Sequence, residues 1–365
     1  MKKFLTGVIF LLSFSVASST DAQTPFKRGV NLTGWFQTSS VKKIQINKYS
    51  KKDFENINSL GCDVIRLPIN LFYMVGEKPD YKVDPLFFEY LDQAITWAEE
   101  LKLYLIIDNH TSDDLASRNP DLEAILSKVW AQLAERYKSR SKYILYEIMN
   151  EPNKITTADW SKIQQTAIDA IRRFDKKHTI VIGPSGFNSY NELAQLPKYT
   201  DKNLIYTFHF YDPFLFTHQG ATWVKPSMAS LANVPFPYKA EQMPSLPVEL
   251  NGSWQNSLYT KYPKDGNAEK IKQLIDIAVA FRDEWKVPIF CGEFGVYMKN
   301  SNDADRVAWY EVVRKYLNEK GIPWTMWDYH GGFGLFLKGT EGQFEKDLNL
   351  PLVKTLEFKA PHSQN

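Results

Sequence analysis

Eight short apolar runs, rich in β-branched and aromatic residues, recur along the chain, and stretches with helical spacing lie between them. The predicted strands are residues 28–32, 64–67, 104–108, 144–149, 179–182, 204–208, 289–291 and 324–327. The predicted helices are 51–60, 85–101, 122–137, 158–174, a short piece at 191–196, 268–285, 303–320 and 350–358. Leu122, Ile125, Leu126, Val129, Trp130 and Leu133 show the 3.6-residue period on which these helices rest. Gly61 and Gly321 read as helix stops, Asp121 and Asp303 as starts. Strands that alternate with helices make a parallel sheet buried on both faces. Eight such units in roughly 340 residues fit an α/β fold of one domain, a closed (β/α)8 TIM barrel. A doubly wound open sheet is the alternative, but GVNLTGW after the first strand lacks the GxGxxG phosphate loop.

One segment breaks the rhythm. Residues 211–266, after strand six, are rich in proline and in aromatics such as Phe214, Trp223, Phe236, Tyr238 and Trp254. Such a long loop reads as a lid or cleft wall, or as a surface insertion with its own small core. Trp223 is a candidate substrate contact within it.

Charge and termini narrow the function. Lys and Arg total 44 against 42 Asp and Glu, so no basic excess exists to neutralise a nucleic acid. The first residues, MKKFLTGVIFLLSFSVASSTDAQ, hold two lysines, an apolar stretch from Phe4 to Val16 and then small residues. That is the pattern of a signal peptide over 1–22, leaving a catalytic domain at 23–365 that is secreted or periplasmic. The stretch is too short to span a membrane comfortably, and no membrane partner is expected afterwards. The two cysteines, Cys62 and Cys291, are expected to face inward on strands two and seven. Those strands are not neighbours, so two free buried thiols are expected.

In such barrels the chemistry collects at the C-terminal ends of the strands. Those ends carry Asn31 and then Trp35; Arg66; Asp108-Asn109-His110; Asn150-Glu151; Pro184-Ser185-Gly186-Phe187; His209 and Tyr211; Glu293; and Trp327-Asp328. Glu151 and Glu293 face each other across the mouth. A pair of carboxyl groups in a cleft, one protonated and one ionised, is the equipment for glycosidic bond cleavage. Arg66 and Tyr211 would hold one ionised; Trp35 and Trp327 offer flat faces for sugar rings. His110, His209 and the two glutamates could instead bind a metal, but HxH and HExxH spacings are absent. No metal and no cofactor are expected. By alternation Glu147, Met149 and Glu151 share a face. Glu147 would then lie deeper and need a partner, Arg28 or Arg66.

The set Arg66, His110, Asn150-Glu151-Pro152, His209, Tyr211, Glu293 and Trp327 resembles glycoside hydrolase family 5, the cellulase family of clan A barrels. YEIMNEP, TFHFYDP and CGEFG match it in local context, over nearly the whole chain after the leader. The resemblance implies Glu151 as acid/base and Glu293 as nucleophile, with Arg66 and Tyr211 steering the nucleophile. It implies Asn150 on the sugar 2-hydroxyl, His110 and His209 lining the site, and Trp327 as the platform at subsite −1. Asn31, Trp35 and Trp223 join them as substrate-binding candidates. It also implies retention of anomeric configuration, with carboxyl groups about 5–5.5 Å apart. Thr111 and Phe187 depart from the family pattern, where histidine and tryptophan are common, and bear on substrate choice. The expected protein is a monomeric endo-β-1,4-glucanase acting on β-glucan. The alternatives are the same mechanism on mannan, β-1,3-glucan or xyloglucan, and a barrel that only binds polysaccharide. No Ser/Pro linker or binding module follows the barrel, so soluble or amorphous glucan is expected over crystalline cellulose.

Overall fold

The computed structural model describes residues 23–111 and 119–360; the expected leader at 1–22 and the last five residues of the tail lie outside them. Eight parallel strands close into a ring in sequence order. They are β1 (Arg28–Asn31), β2 (Val64–Ile69), β3 (Tyr104–Asn109), β4 (Ile144–Glu147), β5 (Thr179–Ile182), β6 (Leu204–Phe210), β7 (Ile289–Phe294) and β8 (Trp324–Met326). The fold is a TIM barrel. The outer helices are α1 (Lys51–Ser59), α2 (Pro85–Glu100), α3 (Leu122–Tyr137), α4 (Thr157–Phe174), α5 (Trp254–Asp265), α6 (Ala268–Trp285), α7 (Asp303–Glu319) and α8 (Leu350–Thr355). A 3-10 turn, Tyr190–Gln195, stands in for a full helix between β5 and β6.

Helix starts follow side-chain chemistry. Asn302, rather than Asp303, caps α7: its Oδ1 accepts from the Ala304 and Asp305 amides. Thr156 and Asn267 cap α4 and α6 in the same way. The segment 211–266 contains α5, which the sequence reading missed because Pro263 lies inside it. Its buried residues Phe216, Met228, Leu231, Val234 and Phe236 pack into the main core between sheet and helices. The insertion therefore has no separate core of its own.

The barrel interior is layered. At its base Phe26, Val64, Ile106, Leu145, Val181, Ile205 and Phe290 form a dry plug, and Phe26 meets Phe290 edge-on with ring centroids 5.3 Å apart. Burying each large apolar side chain contributes about 1.5–3 kcal/mol. Above the plug the inward positions turn polar: Asn31, Arg66, Asp108, Glu147, Thr207 and Thr325 are all fully buried.

Strict alternation breaks at two points that matter. In β7, Phe290 faces inward and Cys291 outward. The register with β6 then slips, pairing Phe208 with Cys291 but His209 with Glu293. The extra residue is Gly292, and this β-bulge returns Glu293 to the interior. Cys291 therefore packs between sheet and helices, not inward as the parity predicted. Cys62 lies in the same outer layer. Both are buried and free. In β4 the strand ends at Glu147, and Glu151 sits beyond it with φ of 41°. The face that alternation assigned to Glu147, Met149 and Glu151 does not exist, because Met149 packs in the outer core.

Candidate active site

Arg66 projects from β2 into the ring and is completely buried, so its charge needs partners. Glu147 supplies a two-point contact, Nε to Oε2 at 2.7 Å and Nη2 to Oε1 at 2.9 Å. Glu147 is thus structural, and its partner is Arg66; Arg28 instead donates to the Gly61 carbonyl at the barrel base. The same guanidinium donates to Asn31 Oδ1 at 3.0 Å, Asn150 Oδ1 at 2.8 Å and Glu293 Oε1 at 2.7 Å. Asp108 Oδ2 lies 3.1 Å from Nη2.

Glu293 receives a second donor, the Tyr211 hydroxyl, 2.8 Å from Oε2. Burial pushes the Glu293 carboxyl upward, while the Arg66 guanidinium pulls it toward the ionised form. Burial and the charges of Glu293 and Glu151 hold the Tyr211 hydroxyl well above its usual range, so it stays a donor. Glu151 is half-buried at the rim, with Oε1 2.7 Å from His209 Nδ1. Its left-handed backbone costs on the order of 1–3 kcal/mol. Phe187 and Asn188, after β5, share that conformation with φ of 64° and 51°. The Phe187 amide donates to the Pro152 carbonyl, tying the two strained turns together. Burial pushes His209 down to about 4, which leaves it neutral near pH 7, and its Nε2 lies 3.4 Å from Asn188 Nδ2.

His110 Nδ1 lies 2.7 Å from Asp108 Oδ2, and its ring stacks on Trp327 with centroids 5.2 Å apart and planes 13° apart. Trp327 is half-buried. From the segment after β6, Trp223 is 52% exposed. It packs edge-on to Tyr297 at 4.8 Å, and Phe333 bridges it to Tyr211.

Two expected substrate contacts are not there. Trp35 is 2% exposed, locked among Phe36, Tyr49, Phe54 and Trp97; it is a core residue. Asn31 is fully buried, and its amide nitrogen donates to the carbonyls of Gly292 and Met326 while its oxygen serves Arg66. It has nothing left for a sugar. Thr111 is likewise a buried staple, accepting from the Phe72 amide and donating to Asn109. Phe187, by contrast, is 52% exposed beside the Glu151 turn. The sequence reading gave no role to Asp108, Asn188 or His218. Asp108 was legible from its inward parity with Arg66; the other two depend on backbone turns that carry no periodic signal.

Glu151, His209 and Glu293 place donor atoms within 4.8 Å of one another and are the described residues that could hold a metal ion. Here Glu151 and His209 hydrogen-bond to each other, while the Glu293 oxygens accept from Arg66 and Tyr211. The arrangement pairs one buttressed, buried carboxyl with one at the solvent edge. It suits attack by the first and proton transfer by the second.

A family model described as "Cellulase (glycosyl hydrolase family 5)" matches residues 21–332. Endoglucanase C of Acetivibrio thermocellus is 30% identical over 83% of this chain and 91% of its own length. Endoglucanase 3 of Fibrobacter succinogenes is 29% identical over 86% of this chain, which spans only half of that protein. The crystal structure of endoglucanase Cel5A from Thermotoga maritima superposes with a TM-score of 0.75 at 26% identity, covering 90% of this chain and 96% of that one. The same enzyme is described in complex with cellobiose and with mannotriose.

Proposed function

The chain belongs to the cellulase family, glycosyl hydrolase family 5, and on that premise we propose that it cleaves β-1,4-linked glucan within the chain by a double displacement that retains configuration. The observation that carries this is the carboxyl pair: oxygens of Glu151 and Glu293 lie within 4.8 Å. Retaining enzymes hold their carboxyls at about 5–5.5 Å, whereas inverting enzymes leave about 6.5–9.5 Å for a water.

In this mechanism Glu293 attacks the anomeric carbon while Glu151 protonates the departing oxygen. The covalent glycosyl-enzyme is then opened by a water that Glu151 deprotonates. Arg66 and Tyr211 aim the two Glu293 oxygens, Asn150 meets the sugar 2-hydroxyl and Trp327 supports the ring at subsite −1. The same chemistry on β-mannan is the second reading, supported by the mannotriose complex of the Thermotoga relative. Export through the first 22 residues is part of the proposal; sequencing the mature N-terminus of the secreted protein tests it.

The decisive experiment incubates wild type and Glu293→Gln with carboxymethyl-cellulose, lichenan, laminarin, glucomannan and xyloglucan. Reducing ends are counted, and the anomer first formed is read by proton NMR. Release of the β-anomer from β-1,4-glucans, lost by more than roughly 10⁴-fold in the variant, is the expected result. The α-anomer would overturn the double displacement, and release from laminarin alone would overturn the substrate.

A further inference from the structure

Asp108 touches no position that a substrate reaches, yet its place in the hydrogen-bond network is tightly defined. Its Oδ2 lies 2.7 Å from His110 Nδ1 and 3.1 Å from Arg66 Nη2, and the residue is fully buried. On the far side of the same imidazole, Nε2 lies 3.4 Å from Asn150 Nδ2. The Asn150 amide cannot turn round, because its Oδ1 accepts from Arg66 Nη2 at 2.8 Å, and a guanidinium only donates. Its NH2 therefore faces His110. An NH2 only donates as well, so Nε2 must be bare. Burial pushes His110 down, and a neutral imidazole carries one proton. That proton is then on Nδ1, where it needs an acceptor, and Asp108 is the acceptor present.

We propose that Asp108 is a positioning residue that fixes His110 in its Nδ1–H tautomer, so that the bare Nε2 takes one Asn150 amide hydrogen and the other is aimed at the sugar 2-hydroxyl. With the opposite tautomer, two donors face each other across the His110–Asn150 gap, and the amide is driven off the substrate. The proposal rests on the glycosidase reading for its consequence, but the tautomer does not.

The test therefore has two arms. Nitrogen-15 NMR of histidine-labelled wild-type protein should show His110 protonated at Nδ1 and bare at Nε2. A proton on Nε2 overturns the proposal with no variant needed. In the second arm, wild type, Asp108→Asn and Asp108→Ala are assayed on an aryl β-cellobioside and on its analogue lacking the 2-hydroxyl of the sugar next to the aglycone. Asp108→Ala is expected to lose roughly 10–100-fold in kcat/KM on the first substrate, and less than about threefold on the second, because the contact being aimed is gone; Asp108→Asn, whose amide oxygen can still accept from Nδ1–H, is expected to keep most of the activity that the alanine variant loses. Equal losses on both would make Asp108 merely structural and overturn the proposal. If wild type cleaves neither substrate, the glycosidase reading fails while the NMR arm still decides the tautomer.

Discussion

At the scale of single residues, position at a strand end and direction of the side chain are separate facts. Trp35 and Trp327 both follow strands at the mouth, yet one is walled in by four aromatic neighbours and the other is only half-buried. Trp35→Ala should lower stability by about 3–5 kcal/mol, with kcat/KM per folded molecule nearly unchanged. Trp327→Ala should do the reverse, weakening substrate binding with a small change in urea midpoint. Urea unfolding and steady-state kinetics on both variants check the contrast. The sequence made Arg66, Asn150, Glu151, His209, Tyr211 and Glu293 legible as a group because they stand at strand ends and together match the pattern of the family the chain resembles. It could not show that Asn31 is spent on Arg66 and two backbone carbonyls. Hydrogen-bond bookkeeping needs three dimensions.

At the scale of elements, alternation placed Glu147 deep inside the barrel, where it lies fully buried against Arg66. It failed where a strand gained a residue or stopped. Gly292 is the extra residue in β7, and a Cβ there would fall 2.7 Å from Thr207 Oγ1 and 3.2 Å from His209 Nε2. No period in the sequence marks such a bulge, although a glycine next to a functional glutamate is its chemical requirement. Gly292→Ala should displace His209 from Glu151. The expected loss is roughly 10²-fold in kcat/KM, with about 1–3 kcal/mol of destabilisation from overpacking. Kinetics beside an unfolding curve would separate the two; full activity would show that the bulge tolerates a side chain. The missed helix α5 has an equally local cause, since Pro263 in its last turn reads as a stop.

At the scale of the whole molecule, the buried histidines make stability depend on pH. His218 stacks on Phe214, meets Tyr211 edge-on at 5.2 Å, and is pushed down to about 3 by burial. As pH falls through the unfolded value near 6.5, the unfolded chain takes up a proton that the folded chain refuses. Stability from this group is therefore complete above about 6.5 and is lost progressively down to about 3. His218→Phe should remove that loss and shrink the fall in unfolding free energy between pH 7 and pH 4 by up to about 3 kcal/mol. Denaturant midpoints at the two pH values measure it; identical slopes would mean that His218 is protonated in the folded state.

The Arg66 guanidinium draws acceptors from β1, β3, β7 and from both ends of the β4 turn. Glu293 comes from the late half of the chain and Arg66 from the early half. Arg66, Asp108 and Glu147 all come from the early half, so only closure of the ring brings Glu293, the nucleophile of the proposed function, to its guanidinium donor. On that proposal, turnover would report that the two halves of the polypeptide have met.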